Sequence, residues 1–273
     1  DPHTIVRLVE FYNIRRHLPV GACIRDFQYL HLRQVNVLRT AVNRGSHLVG
    51  VRIALVQDHA VGIHNGRNVQ IVPEQVGIGI AEHQFRLRCF RRREMNDMYE
   101  ESSVIIRPAN LGEIYGKGWC IADMGSARVA VINLMGMAYM DNCDNPFFCI
   151  DKILKEIDTP NIIVDFHAEA TSEKKAMGYY LEGRVTAVLG THTHVQTNDD
   201  EILGHHTGYI TDVGMTGAKR SVLGVDKDVI ISRLTTYYPQ KHTYPDGEIM
   251  INGVVLEIDK KNGKCLSIEK INM

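Results

Sequence analysis

Three short apolar runs, residues 127–134, 161–164 and 185–189, are separated by stretches long enough to hold a helix. This order constrains the fold more than any other feature of the chain. Short runs rich in Val and Ile and bounded by breaks such as Thr159-Pro160, Gly136 and Gly183 read as buried strands. Between the first two, Asn145 and Pro146 supply an N-cap and a first-turn proline for a helix with Phe147, Ile150, Leu154 and Ile157 on one face. Between the second and third, residues 172–182 read as another helix. Strands joined by helical crossovers pair in parallel, so the sequence predicts an α/β fold. Asp226 is placed to cap a further helix through Leu234. Residues 253–258 and 266–271 read as a hairpin around Asn262-Gly263.

Two of these runs end in histidine, in Asp165-Phe166-His167-Ala168-Glu169 and Gly190-Thr191-His192-Thr193-His194. Ligands of open α/β sheets bind beyond the carboxyl ends of the strands, so neighbouring strands would bring His167, His192 and His194 to one crevice. In extended chain, His192 and His194 point to the same side and could serve one metal or two adjacent ones. Three neutral imidazoles suit zinc, manganese or iron. Asp165 and Glu169 flank His167 and could orient its ring as acceptors, although Glu169 also suits a helix start or the surface. Asp212 precedes a Gly-rich turn and reads equally as a cleft-lining residue or a simple turn residue. Thr191 and Thr193 are expected to hydrogen-bond the loop backbone.

The first hundred residues differ sharply from the rest: residues 1–100 hold 14 Arg, 7 His and no Lys, and residues 101–273 hold 5 Arg, 6 His and 12 Lys. This divides the chain into an Arg-rich, Lys-free segment, 1–100, and a second part, 101–273. A rearranged or out-of-frame stretch would produce such a break, with the authentic frame resuming near Ser103, and sequencing the locus would test this. Runs 51–56, 69–72 and 76–81 permit short strands, so the segment is expected to be irregular or β-rich. The cluster Arg86, Arg88, Arg91, Arg92 and Arg93, interleaved with Phe85 and Phe90, could meet phosphate, but reads more simply as a solvated charged stretch. Around His47, His59 and His64 the residues of a metal motif occur in the wrong order, and loop or surface roles are expected for them.

A net charge of −1 gives no electrostatic case for a nucleic acid or a membrane as partner, and 44% hydrophobic residues suffice for a core. The six cysteines, Cys23, Cys89, Cys120, Cys143, Cys149 and Cys265, show no Cys-x-x-Cys spacing, which predicts free thiols in a reducing cytoplasm. No run approaches the roughly 18 apolar residues of a membrane span, and no signal peptide is visible at Asp1.

Five segments occur in a telling order: Arg107-Pro108-Ala109-Asn110, residues 129–136 (VAVINLMG), residues 165–174 (DFHAEATSEK), residues 190–197 (GTHTHVQT) and residues 210–217 (ITDVGMTG). From about residue 104 to residue 273 the chain resembles the YmdB-like branch of the calcineurin-type metallophosphoesterases, bacterial two-metal phosphodiesterases. The resemblance implies a four-layer α/β/β/α sandwich with two divalent metals, iron or manganese, at the sheet ends. His167 and His192 would bind one metal and His194 the other. It also implies hydrolysis of small phosphodiesters, cyclic nucleotides above all. The family's remaining ligands lie in a Gly-Asp, a Gly-Glu-Asn and a Gly-Asn-His of its amino-terminal half, and none of the three occurs in these 273 residues. The chain is therefore expected to carry the carboxy-terminal part of the sandwich only, with one metal or none and impaired hydrolysis. The alternative is an inactive remnant or binding module that keeps the latter half of the fold.

Overall fold

The computed structural model describes residues 94–273, apart from 113, 114, 125 and 126, together with the backbone of six strands upstream. Those strands are β1 (Tyr29–Leu30), β2 (Leu32–Val37), β3 (Thr40–Arg44), β4 (His47–Val56), β5 (Val61–Gly62) and β6 (Val76–Ala81). Next come α1 (Glu94–Glu101), β7 (Ile105–Ile106), β8 (Trp119–Asp123), β9 (Arg128–Met135), α2 (Pro146–Ile153), β10 (Ile162–His167), α3 (Thr171–Tyr180) and β11 (Ala187–Thr191). The chain closes with β12 (Glu201–Leu203), β13 (Thr207–Ile210), β14 (Thr216–Ala218), α4 (Lys227–Thr236), β15 (Ile249–Asp259) and β16 (Lys264–Asn272).

The main sheet has the order β12-β13-β11-β10-β9-β8. Its four central strands run parallel, as the helical crossovers require, and β12 and β8 flank them antiparallel. A second, antiparallel sheet has the order β14-β15-β4-β3 with β16 also paired to β15, and β2-β6-β7 make a third. Because successive side chains point to opposite faces, β9 and β10 feed two cores at once. Val131 and Ile163 pack with Leu189, Val254, Leu256 and Ile258 between the two larger sheets. Ile132, Leu134, Val164 and Phe166 pack against Ile150 of α2 and Met177 of α3 on the other face. Burial on both faces explains why these strands read as continuous apolar runs.

The helix starts follow the sequence signals. The Asn145 side chain accepts from the Phe147 amide at 2.9 Å with Pro146 beside it, and Asp226 accepts from the Asp228 amide at 2.8 Å. The turn of the β15–β16 hairpin places Gly263 at φ 74°, where a Cβ would lie 1.9 Å from the Pro160 carbonyl oxygen, so only glycine lets the hairpin close over the loop before β10.

One difference from the sequence reading has a physical cause. The second histidine strand starts at Ala187 rather than Val185, because the Ile162 amide donates to the Thr186 hydroxyl at 2.9 Å instead of to a backbone carbonyl. Helix α4 forms as expected but has no buried residue. Residues 51–56 and 76–81 lie in β4 and β6. Residues 69–72, the Arg86–Arg93 cluster, the His59 and His64 motifs and the side chain of His47 lie outside the described residues. Among the described residues no helix is long and apolar enough to cross a membrane.

Candidate metal centre

Strands β10 and β11 are parallel neighbours, with His167 opposite Thr191 at their carboxyl ends. Asp165 lies two residues before His167 and therefore on the same face. It accepts from the Asn133 amide nitrogen at 3.0 Å and from the Thr191 hydroxyl at 2.7 Å. Thr191 has a single hydroxyl proton, and Asp165 takes it. The contact of 3.2 Å between Thr191 Oγ1 and His167 Nδ1 is then donated by the ring N–H. This network assigns the His167 tautomer and leaves the Nε2 lone pair pointing outward.

That lone pair faces His192. His167 Nε2 and His192 Nδ1 are 3.1 Å apart, and the two rings meet edge-on with centroids 4.8 Å apart. His192 Nε2 lies 2.6 Å from Glu169 Oε2, and the carboxylate takes that ring proton. In the neutral form His192 therefore also turns a lone pair inward. A proton on His192 Nδ1 bridges the two nitrogens as a hydrogen bond, and a cation can take the place of that proton. Two imidazole nitrogens bound at about 2.0–2.1 Å to one tetrahedral ion would sit about 3.4 Å apart, so the pair needs to open by only a few tenths of an ångström. The residues present fit a divalent transition metal.

The histidines after β11 depart from the extended geometry expected of them. His192 has φ 119° and His194 φ 65°, so the chain bends at both and the two rings do not share one side of a strand. His194 is buried, and its Nδ1 lies 3.2 Å from the Leu223 carbonyl oxygen. Among the described residues, no three His, Cys, Asp or Glu side chains gather closely enough to hold one ion. The structure thus brings His167 and His192 together, and His194 follows two residues later in the same loop.

The acidic residues also take different partners from those expected. Glu169 holds His192 rather than His167, and Asp165 reaches His167 through Thr191. Asp212 is fully buried and lines no cleft: it pairs with Lys174 Nζ at 2.8 Å and accepts from the Thr193 amide at 2.9 Å. Sequence reasoning missed the contacts of Thr191 with Asp165 and His167, and it missed Asn133 and Lys174 altogether. A register argument could have found the first two, since Asn133, Asp165 and Thr191 fall at the ends of adjacent parallel strands. Nothing in a helix of mixed polarity marks Lys174 as buried.

The cysteines near these strands are not poised as ligands. Burial pushes the Cys143 thiol up to about 11, reinforced by Glu173, and the thiol donates to the carbonyls of Met135 and Gly136 at 3.8 and 3.5 Å. Burial likewise pushes Cys120 and Cys265 up to about 11. All three hold their protons at neutral pH.

A family profile described as YmdB-like protein matches residues 69–271. The chain belongs to the YmdB-like family. The match begins upstream of residue 104, where the resemblance was read to start, and takes in the strand–helix–strand unit of β6, α1 and β7, whose two strands pair in parallel. A 2′,3′-cyclic-nucleotide 2′-phosphodiesterase of Bacillus subtilis is 44% identical over 183 residues, covering 66% of this chain and 69% of that one. Among solved structures, a hypothetical protein from Thermus thermophilus matches with a TM-score of 0.63 at 35% identity, over 67% of this chain and 72% of the other. A novel phosphatase from Mycoplasma pneumoniae matches with a TM-score of 0.63 at 30% identity, over 68% of each chain. The chain thus spans about two thirds of each of these relatives. They confirm the α/β sheet fold of its carboxy-terminal part.

Proposed function

We propose that the chain carries the histidine half of a metal-dependent phosphodiesterase site acting on small cyclic nucleotides in the cytoplasm. The observation that carries this reading is the pair of imidazole nitrogens, His167 Nε2 and His192 Nδ1, facing each other at 3.1 Å with Thr191 and Glu169 on their far sides. The name of the Bacillus relative supports the substrate class. In this reading His167 and His192 hold one divalent metal, iron or manganese, and His194 contributes to a second. A metal held there would supply a water of lowered pKa and offset charge on phosphoryl oxygens.

The chain's own residues do the preparatory work. Asp165 and Thr191 keep the proton of His167 on Nδ1, and Glu169 keeps that of His192 on Nε2, so neither ring has to change tautomer to bind a cation. His167 is buried in the sheet, whereas the His192 side chain is 19% and the Glu169 side chain 49% exposed, which supports a substrate side at Glu169. The division of the chain near residue 100 belongs to the same reading and rests on the distribution of lysine.

With no Gly-Asp, Gly-Glu-Asn or Gly-Asn-His in the sequence, turnover of this chain by itself is slow, because groups that bridge metals or donate the proton each contribute about 10²- to 10⁴-fold. The same observation favours the second reading, a module that binds metal or nucleotide without hydrolysis. Two measurements separate the readings: elemental analysis of the purified chain, and the initial rate on a 2′,3′-cyclic nucleotide with and without chelator. Bound metal with a chelator-sensitive rate supports the enzyme. Bound metal with no rate supports the module, and a chain free of metal after growth in iron and manganese contradicts the enzyme and leaves only a module that binds nucleotide.

A further inference from the structure

Lys174 and Asp212 form a charge pair 2.8 Å apart whose side chains are 1% and 0% exposed, 38 residues apart in sequence and outside the chemistry described so far. Lys174 reaches Asp212 past Gly190, where a Cβ would lie 3.1 Å from Lys174 Cδ and 1.7 Å from the Thr211 carbonyl oxygen. Asp212 Oδ1 accepts from the Gly214 amide at 2.9 Å, and Oδ2 accepts from the Thr193 amide at 2.9 Å. Thr193 sits between His192 at φ 119° and His194 at φ 65°. Residues with a Cβ adopt such angles only where their surroundings over-determine them, and the bond to Asp212 ties down the His192–Thr193 peptide, the first of the two that separate the histidines.

We propose that Asp212, paired with Lys174, is a positioning residue that clamps the His192–Thr193–His194 loop in its left-handed form. The clamp sets the direction of both rings. The proposal rests on the reading of these histidines as metal ligands for its functional consequence, but not for the clamp itself. Glu169 grips His192 directly, and Lys174, five residues further along, grips Thr193 through Asp212. His192 and Thr193 are thus both fastened to the segment that leads from His167 into α3.

The test replaces the pair in the full chain without stranding one buried charge. Lys174→Met with Asp212→Leu removes both charges and the acceptor for Thr193, whereas Lys174→Met with Asp212→Asn keeps an amide oxygen there. Hydrogen exchange of the Thr193 amide is read by NMR in metal-free protein, and manganese and zinc affinity by calorimetry. In the Leu variant, Thr193 should lose its protection while Phe166 and Leu189 keep theirs, and metal affinity should fall about 10- to 100-fold. The Asn variant should stay within about threefold of the parent, and a loss in it as large as in the Leu variant overturns the acceptor role. Unchanged Thr193 protection in the Leu variant overturns the clamp. If the Leu variant does not fold, the Asn variant decides alone: parental protection and affinity uphold the clamp, and loss of Thr193 protection overturns it. A parent chain that binds neither metal, yet releases Thr193 in the Leu variant only, upholds the clamp and overturns the metal reading instead.

Discussion

The two histidine segments leave adjacent strands by different means. His167 is the last residue of β10, held in the ladder opposite Met135 and Thr191, with its carbonyl accepting from the Gly136 amide at 2.9 Å. Backbone pairing fixes it, and its side chain needs only one hydroxyl to set the ring. His192 and His194 lie past the end of β11 in a loop with left-handed angles, where side chains do the fixing: Glu169 on one ring, Asp212 on the first peptide between them. The first half of the site is a product of the sheet, and the second is a product of buried polar contacts. Changes to the first should therefore also cost the sheet stability, whereas the second should be open to side-chain changes that leave the sheet intact.

The largest expected effect breaks both halves at the metal. Replacing His192 and His194 together by Ala, or His167 alone, should abolish bound iron or manganese in elemental analysis, while the circular dichroism of the sheet stays intact for the double variant. Full metal occupancy in the double variant would direct attention to His47, His59 and His64. Next in size is Gly190→Ala on β11. Its Cβ would lie 1.7 Å from the Thr211 carbonyl oxygen, between two parallel strands that cannot part, and a loss of about 3 kcal/mol in denaturant unfolding is expected.

Thr191→Val sharpens the comparison, because it keeps the shape of the first half and removes only its hydroxyl. Asp165 and His167 each lose a buried partner, so stability should fall by about 1–3 kcal/mol, with the His167 tautomer mixture visible in ring nitrogen shifts. An unchanged tautomer would mean that the sheet alone orients the ring. The smallest effect concerns the loop that follows the second half. Burial raises the pKa of Asp199, but hydrogen bonds from the Thr211 and Thr197 hydroxyls and the Thr211 amide outweigh it and hold the carboxyl below its ordinary 3.8. A depressed folded pKa stabilises above the unfolded value and is lost as pH falls through the folded one. Asp199→Asn should therefore flatten the decline in stability below about pH 4 and leave neutral-pH metal binding unchanged.

The sequence exposed the first half more fully than the second, for reasons of range. Strand ends, the Asn145 and Asp226 caps and the Asn262-Gly263 turn are local signals, and each marks the element that forms. The meeting of His167 with His192 follows from two apolar runs that had to be neighbours. The bend at His192 and His194 could not be read, because left-handed angles at residues other than glycine are imposed by contacts made elsewhere in the chain. Lys174 and Asp212 show the same limit: each is common on surfaces, and only folding across 38 residues makes them a buried pair. Thr191 was misjudged because a hydroxyl at a strand end has backbone groups in reach, and the register alone decides that it meets Asp165 and His167 instead.

The column from Asn133 through Asp165, Thr191, His167 and His192 to Glu169 is dry at one end and wet at the other. A cation held by the pair would then have a direction of approach. A chelator would meet Glu169 and His192, the more exposed ring, before His167. Dissociation rates should therefore respond to changes at Glu169 and in the His192 loop, while changes at Asp165 alter how tightly the ion is held once it has arrived.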